Sequence, residues 1–399
     1  ENCLDYLQPT PYLVESTDYK DDYSTPVLTA GKSFILGYTD EKEGVFAENL
    51  PVIIFDDFTT ASKFVDFPFK TKSSAMKILL AKNGYNIKFV HESMQTLDYE
   101  VGVHKRHWIS VFSKLKIAVP QPKEQQKIAS CLSSLDELIA AHNDKLEALK
   151  DHKKGLMQNL FPPIGSSHSG PDPESPKTPN YRFPEFEKDG EWVEKKLGDV
   201  SGFVNDKVDS EKLTLNNYIS TDNMLPDYTG ITKASKLPTT IRVTEFIEGD
   251  ILISNIRPYL KKVWKSDRNG GASNDVLVFR SGSGVTSDFL ESILKNDAYI
   301  NYVMQSAKGV KMPRGDKDSM LKYPIRIPQR QEQQKIASCL SAVDALITAQ
   351  TEKIEQLQQH KKGLMQGLFP SATTRHSGLD RHSGLDPESH KTEPPNFNT

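Results

Sequence analysis

The chain of 399 residues has little that would assign it a chemistry at sight. It carries three cysteines, Cys3, Cys131 and Cys339, with no CxxC pair and no histidine cluster at zinc-ligand spacing. That excludes a disulfide framework and a structural zinc module, and a reducing cytoplasm is the compartment it implies. Apolar runs such as Ile251 to Ile253 fall far short of the ~18 residues of a membrane span. Mean hydropathy is −0.53, so a soluble protein with no membrane partner is expected. The GxxxxGK[ST], GxGxxG, GxSxG and HExxH patterns are missing, which removes the common phosphate-loop, dinucleotide, serine-hydrolase and zinc-protease readings. An excess of one charge is missing too: 50 Lys and Arg stand against 53 Asp and Glu, a net charge of −3. This balance excludes a uniformly basic nucleic-acid coat protein and an acidic tail protein, so a polyanionic partner would have to be met by local patches. The chain begins at Glu1 with no apolar leader, and residues before it are expected.

What is present is a repeat. Pro120 to Pro162 and Pro328 to Pro370 align without a gap at an interval of 208, with about 29 of 43 positions identical. The interval is too long for a solenoid, so each copy is expected to be a globular domain followed by one long helix. Length alone allows two or three domains, and 37% hydrophobic residues allow a sizeable core.

Both copies carry apolar residues alternately four and three apart. The first has Ile128, Leu132, Leu135, Ile139, Leu146 and Leu149; the second has Ile336, Leu340, Val343, Ile347, Ile354 and Leu357. Sustained over about five heptads, this is the seam of a coiled coil. Pro122 and Glu124 suit a helix start, and Pro162 and Pro370 stop the two helices. Polar residues interrupt the seam at matched places, His142 with Gln350 and Lys153 with Lys361. They either fix register or meet solvent or another chain. A helix of about 37 residues is roughly 55 Å long. Antiparallel packing is favoured, because each domain then leads into its own helix without a long crossover, and the duplication becomes a pseudo-twofold axis.

The boundaries that follow are a first domain over 1–119, a helix over 120–162, a Ser, Pro and Gly-rich linker over 163–180, a second domain over 181–327, a helix over 328–370 and a disordered tail over 371–399. The tail repeats words of the linker: HSGPDPES begins at His168 and HSGLDPES at His382. Strands are expected at Val52 to Phe55, Met76 to Leu80, Asp250 to Ser254, Lys262 to Trp264 and Asp275 to Phe279. Exit strands are expected at Lys116 to Val119 and Pro324 to Ile327, and helices at Ser287 to Lys295 and Asp297 to Ser306. The fold class is α+β, two tandem domains separated by the two helices. The first domain is shorter than the second and lacks a counterpart of the Trp192 to Val200 opening, so it is expected to be incomplete at its start.

Neutral overall, the chain is uneven locally. Residues 1–60 sum to −9 and 61–90 to +5; residues 181–250 sum to −5 and 257–268 to +4. Candidate contacts to DNA phosphates or bases are Lys63, Lys70 and Lys72, then Lys105 and Arg106, then Asn255, Arg257, Tyr259, Lys261 and Lys262, and finally Lys308, Lys311, Arg314 and Lys317. Asn and Arg are residue types that read base edges, and lysines suit phosphates. The alternative is an ordinary solvated face with core aromatics. Asp56 and Asp57 could hold magnesium, but adjacent carboxylates point apart and structural use is favoured. Pro171-Asp172 with Glu194-Lys195-Lys196 imitates a nuclease pattern, but its first half lies in the linker. Cys131 and Cys339 read as small residues at the core edge.

Two globular units, each leading into an EQQKIA helix that exits through HKKGLMQ and LFP, resemble the specificity subunit of type I restriction-modification systems. The residues carrying the resemblance are Glu124 to Ala129 and Glu332 to Ala337, Lys153 to Pro162 and Lys361 to Pro370, Ile219-Ser-Thr-Asp-Asn-Met224, and Lys308 to Asp316. The resemblance implies a non-catalytic reader of DNA in which each domain recognises half of a bipartite site and the helices set the spacer. It implies methyltransferase subunits as partners, binding S-adenosylmethionine, and restriction and translocase subunits using ATP and magnesium, with no cofactor and no metal in this chain. A magnesium-dependent nuclease and a coiled-coil adaptor without DNA affinity are the competing readings.

Overall fold

The computed structural model describes residues 2–29, 33–97, 108, 112–163 and 176–370. The chain divides into two compact units, Glu1–Glu137 with Leu357–Thr399, and Leu138–Gln356. The division cuts through both long helices, so each unit holds one domain and a portion of each helix.

The first unit contains β1 (Leu4–Leu7), β2 (Thr25–Leu28), β3 (Ile35–Thr39), β4 (Val52–Asp56), β5 (Ser62–Val65), β6 (Lys70–Thr71), β7 (Met76–Ala81) and α1 (Ile87–Gln95), followed by the start of α2 (Pro122–Asn159). An antiparallel sheet runs in the order β1-β7-β4-β5, and a second in the order β3-β2-β6, with β2 and β6 parallel. Strand β4 reads VIIFD and all five residues are buried. The pleat explains this uninterrupted apolar run: successive side chains point to opposite faces, and both faces are covered. Ile53, Phe55 and Leu79 face Phe89 of α1 and Leu132 of α2. Val52, Ile54 and Ile78 face Leu28, Phe46 and Phe69 on the other side. Asn86 starts α1 by accepting the Phe89 N–H at 2.9 Å.

The second unit contains β8 (Val193–Lys196), β9 (Ser201–Phe203), β10 (Lys207–Asp209), β11 (Tyr218–Ile219), β12 (Arg242–Phe246), β13 (Ile251–Ser254), β14 (Val263–Lys265), β15 (Gly270–Ala272), β16 (Val276–Ser281), α3 (Ser287–Leu294), α4 (Asp297–Ser306), α5 (Lys317–Leu321) and β17 (Pro324–Ile327), then the start of α6 (Arg330–Leu368). Its main sheet, β9-β16-β13-β14, repeats the strand order of the first unit. The same division of faces recurs. Ile251, Ile253, Leu277 and Phe279 pack with Phe289, Ile336 and Leu340, while Leu252, Val276 and Val278 pack with Ile219 and Phe246.

The expected helices and the five internal strands are present, each within two residues of its expected ends except the first long helix, which stops at Asn159, three residues early. One expectation fails: Lys116 to Val119 is not a strand. Its counterpart β17 pairs antiparallel with β8, from Pro324↔Lys196 to Ile327↔Val193. Among the described residues of the first unit no stretch plays the part of β8, and without a partner the exit segment forms no ladder. Cys131 is exposed rather than at the core edge, and Cys339 is half-buried. No helix among the described residues is long and apolar enough to cross a membrane. The tail and most of the linker lie outside the described residues.

A candidate nucleic-acid interface

Each long helix is fastened to its domain by the glutamine that follows Glu124 or Glu332. In the first unit Gln125 is buried; it donates to the carbonyls of Pro120 at 2.9 Å and Gly84 at 3.3 Å and accepts the Asn86 N–H at 2.9 Å. In the second, Gln333 donates to Pro328 at 3.0 Å and Gly284 at 2.9 Å and accepts the Thr286 N–H at 2.9 Å. One amide therefore ties the helix start to the turn that introduces α1 or α3, and no polar group of that amide is left without a partner. Arg182 adds a second tie in the second unit, with two bonds to Glu332 at 2.7 and 2.9 Å.

Every position of the heptad seam is buried or half-buried. Within the second unit Lys153 of α2 meets Asp344 of α6 at 2.6 Å, and the Gln350 amide donates to the His142 carbonyl at 2.7 Å. Within the first, Lys361 of α6 meets Asp136 of α2 at 2.6 Å. The polar interruptions thus bond from helix to helix. Lys361 also approaches Glu92 of α1 at 3.4 Å, where Lys88 lies at 2.8 Å. Burial pushes the Glu92 carboxyl up, but the hydrogen bonds from His91 and Lys88 and the charges of Lys88 and Lys361 outweigh it and hold the group at about 2.

In the second unit the fold gathers candidate residues that are some fifty positions apart. After Ser254 the chain turns through Arg257 and Lys261, both left-handed at φ 52° and 53°, around Pro258–Leu260. The Arg257 N–H donates to the Pro313 carbonyl at 2.8 Å, and Ile256 bridges Arg314. The loop after β13 and the loop after α4 therefore form one surface, bearing Arg257, Tyr259, Lys308, Lys311 and Arg314, all exposed.

Ion pairing sorts these cations. Lys308 meets Asp316 at 3.2 Å, Arg314 meets Asp275 at 3.1 Å, and Lys261 meets Asp297 at 2.6 Å. Lys262 donates to the Thr221 carbonyl at 2.7 Å, and Lys317 lies over the Phe203 ring. Among the described residues Arg257 and Lys311 form no ion pair, which leaves their charge available to a phosphate. Asn255 is placed differently from its expected base-reading role. Its Oδ1 is buried without a hydrogen-bond partner and lies beside Gly315.

The first unit corrects the reading of its basic run. Lys63 and Lys72 are exposed, Lys72 over the Tyr19 ring. Lys70 is buried, paired with Glu41 at 2.6 Å and donating to the Glu43 carbonyl at 2.7 Å, so it is an internal brace and not a phosphate contact. Lys77 is also buried, 3.4 Å from Asp57. This pairing, and the bonds that the Asp56 carboxylate accepts from the Phe58 N–H and the Thr59 hydroxyl, give the two aspartates structural work. No group of three metal-ligating side chains occurs among the described residues. Glu194 pairs with Arg326 at 3.4 Å, while Asp172, Lys105 and Arg106 lie outside the described residues. Sequence reasoning missed the two fastening glutamines; the signal for them was the identical EQQKIA in both copies.

The model of the type I restriction modification DNA specificity domain family matches residues 10–151 and 189–359. The chain is 49% identical over 149 residues to the type I restriction enzyme EcoR124I/EcoR124II specificity subunit of Escherichia coli, covering 36% of each. It is 24% identical over 291 residues to the type I restriction enzyme MjaVIII specificity subunit of Methanocaldococcus jannaschii, covering 65% of this chain and 62% of that one. The matched stretches thus span less than two thirds of these curated relatives. The crystal structure of the type I restriction-modification S subunit from M. genitalium shares the fold, with a TM-score of 0.61 at 15% identity over 93% of this chain and 95% of that one.

Proposed function

Because the chain belongs to the type I restriction modification DNA specificity domain family, we propose that it reads a bipartite DNA site, one half through each domain, and catalyses no reaction itself. The observation that carries this is the family match to both halves of the chain, each with the same sheet order and the same fastening glutamine. In the second domain the reading surface is the joined pair of loops bearing Arg257 and Lys311, whose unpaired charge suits phosphate contacts and steering toward a duplex. In the first, Lys63, Lys72, Lys105 and Arg106 are the counterparts.

The helices form an antiparallel coiled coil with pseudo-twofold symmetry. Support comes from two ion pairs related by the interval of 208, Lys153 with Asp344 and Lys361 with Asp136. The coil serves as the ruler that fixes the spacing of the half-sites and as the platform for partner subunits. These are methyltransferase subunits holding S-adenosylmethionine and restriction and translocase subunits using ATP and magnesium, all working in the cytoplasm.

The test is single-molecule methylation mapping of the host genome with and without this gene. Loss of methylation at one bipartite motif is the expected result. An unchanged methylation pattern overturns the proposal.

A further inference from the structure

The loop after α4 carries a feature that phosphate contact does not use. Val310 is 104% exposed and Met312 50% exposed, on either side of Lys311 at the end of a hairpin whose flanks are Lys308 and Arg314. Single apolar residues are common on surfaces, but two at the tip of a cationic projection present a small apolar edge surrounded by positive charge. The projection is braced. Lys308 and Arg314 exchange backbone hydrogen bonds at 2.9 Å in both directions, Pro313 is buried with its carbonyl held by the Arg257 N–H at 2.8 Å, and the Gly315 N–H donates to the Asn255 carbonyl at 3.3 Å. Gly309, at φ 101°, turns the chain where a side chain would be strained. At Gly315 a Cβ would collide with Met320 and Val303, so glycine lets the hairpin base sit on the core. The apolar edge is thus held out by the fold on a fixed stem.

We propose that Val310 and Met312 form a wedge that enters a base step of the bound duplex, unstacking it and bending the DNA. This rests on the DNA-reading function proposed above and adds how one half-site is read: through the ease with which a step opens as well as through base edges. Apolar side chains inserted at a step kink duplexes by about 20° to 90°, and pyrimidine–purine steps open most readily. Lys311 between the two apolar residues and Arg257 at the hairpin base, which form no ion pair among the described residues, supply the complementary charge toward the phosphates beside the opened step.

The test uses the full chain and a duplex bearing the site found by methylation mapping, with a donor and acceptor dye at its ends and 2-aminopurine at successive steps. The wild-type chain is expected to shorten the end-to-end distance and to raise 2-aminopurine fluorescence at one step. In the double variant Val310→Ser with Met312→Ser, both signals are expected to vanish and affinity to fall about tenfold. The slope of binding against salt should stay unchanged, because no cation is removed. Lys311→Ala should do the reverse, reducing the salt slope while keeping the bend. Wild-type binding without bending, or bending retained by the double variant, overturns the wedge and leaves DNA reading intact. A wild-type chain that does not bind the duplex overturns the reading function and the wedge with it.

Discussion

Lys153 and Asp344 lie 2.6 Å apart, and each has a counterpart 208 residues away in the pair formed by Lys361 and Asp136, also at 2.6 Å. The duplicated sequence thus yields duplicated contacts, with the chemical roles exchanged between the helices: α2 supplies the lysine of one pair and the aspartate of the other. Reversing one charge, as in Lys153→Asp, should destabilise the second unit, and exchanging both residues should recover most of the loss. A coupling of ~1 kcal/mol is expected for this partly exposed pair. A double-mutant cycle by urea unfolding measures it, and additive effects would remove the pair from the helix contact.

Replacing Gln333 with Ala should be far more costly than its place in the first turn of a helix suggests. Two carbonyls and one N–H lose their partner, and each unpaired buried group costs about 1 to 3 kcal/mol before any rescue by water. A loss of at least ~2 kcal/mol from the second unit is expected. Gln125→Ala should do the same to the first unit, and equilibrium unfolding followed through the tryptophans distinguishes the two.

The first unit should weaken in acid. Glu92 gives up its proton more readily in the folded unit, at about 2, than in an unfolded chain, where a glutamate titrates near ~4.3. The stability it contributes is present in full above the unfolded value and is lost as pH falls toward 2. Urea midpoints measured between about pH 6 and pH 3 should fall for the wild-type chain and fall less for Glu92→Gln. Equal slopes would assign the acid sensitivity to other carboxylates.

Lys70 and Lys72 should part company although a single residue, Thr71, separates them. Lys70→Ala leaves Glu41 without its partner and should cost ~2 kcal/mol or more of stability. Lys72→Ala should leave stability unchanged and lower DNA affinity alike for all sequences, with the salt slope reduced by about one. Thermal melts and fluorescence anisotropy at several salt concentrations separate these effects.

Inserting seven residues into α2, between Ile139 and Leu149, and the matching seven into α6 between Ile347 and Leu357 should alter the spacer between half-sites and leave the half-sites themselves unchanged. Methylation mapping reads the outcome directly, and altered half-sites would contradict the ruler.

The sheets and helices were legible because their patterns are local: VIIFD and ILIS read as strands buried on both faces, and the spacing of Ile128, Leu132 and Leu135 reads as a helix seam. The lysines of 61–90 were not. Linear charge says nothing about what lies opposite a strand residue, and the pleat turned Lys70 and Lys77 inward toward Glu41 and Asp57. The joining of the loops bearing Arg257 and Arg314 was hidden for a similar reason, since main-chain bonds between residues so far apart leave no trace in composition. Lys116 to Val119 has a sequence suited to a strand, yet a strand needs a neighbour, and its counterpart has β8.

The joint made by Gln125 and Gln333 has one further property. All three of its partners are main-chain groups: two carbonyls and an amide in each unit. A main-chain group is the same whatever side chain accompanies it, so the helix grips its domain through atoms common to nearly every residue. The side chains of each domain can be rewritten almost freely, provided the turn before α1 or α3 keeps its shape, and the attachment will not register the change.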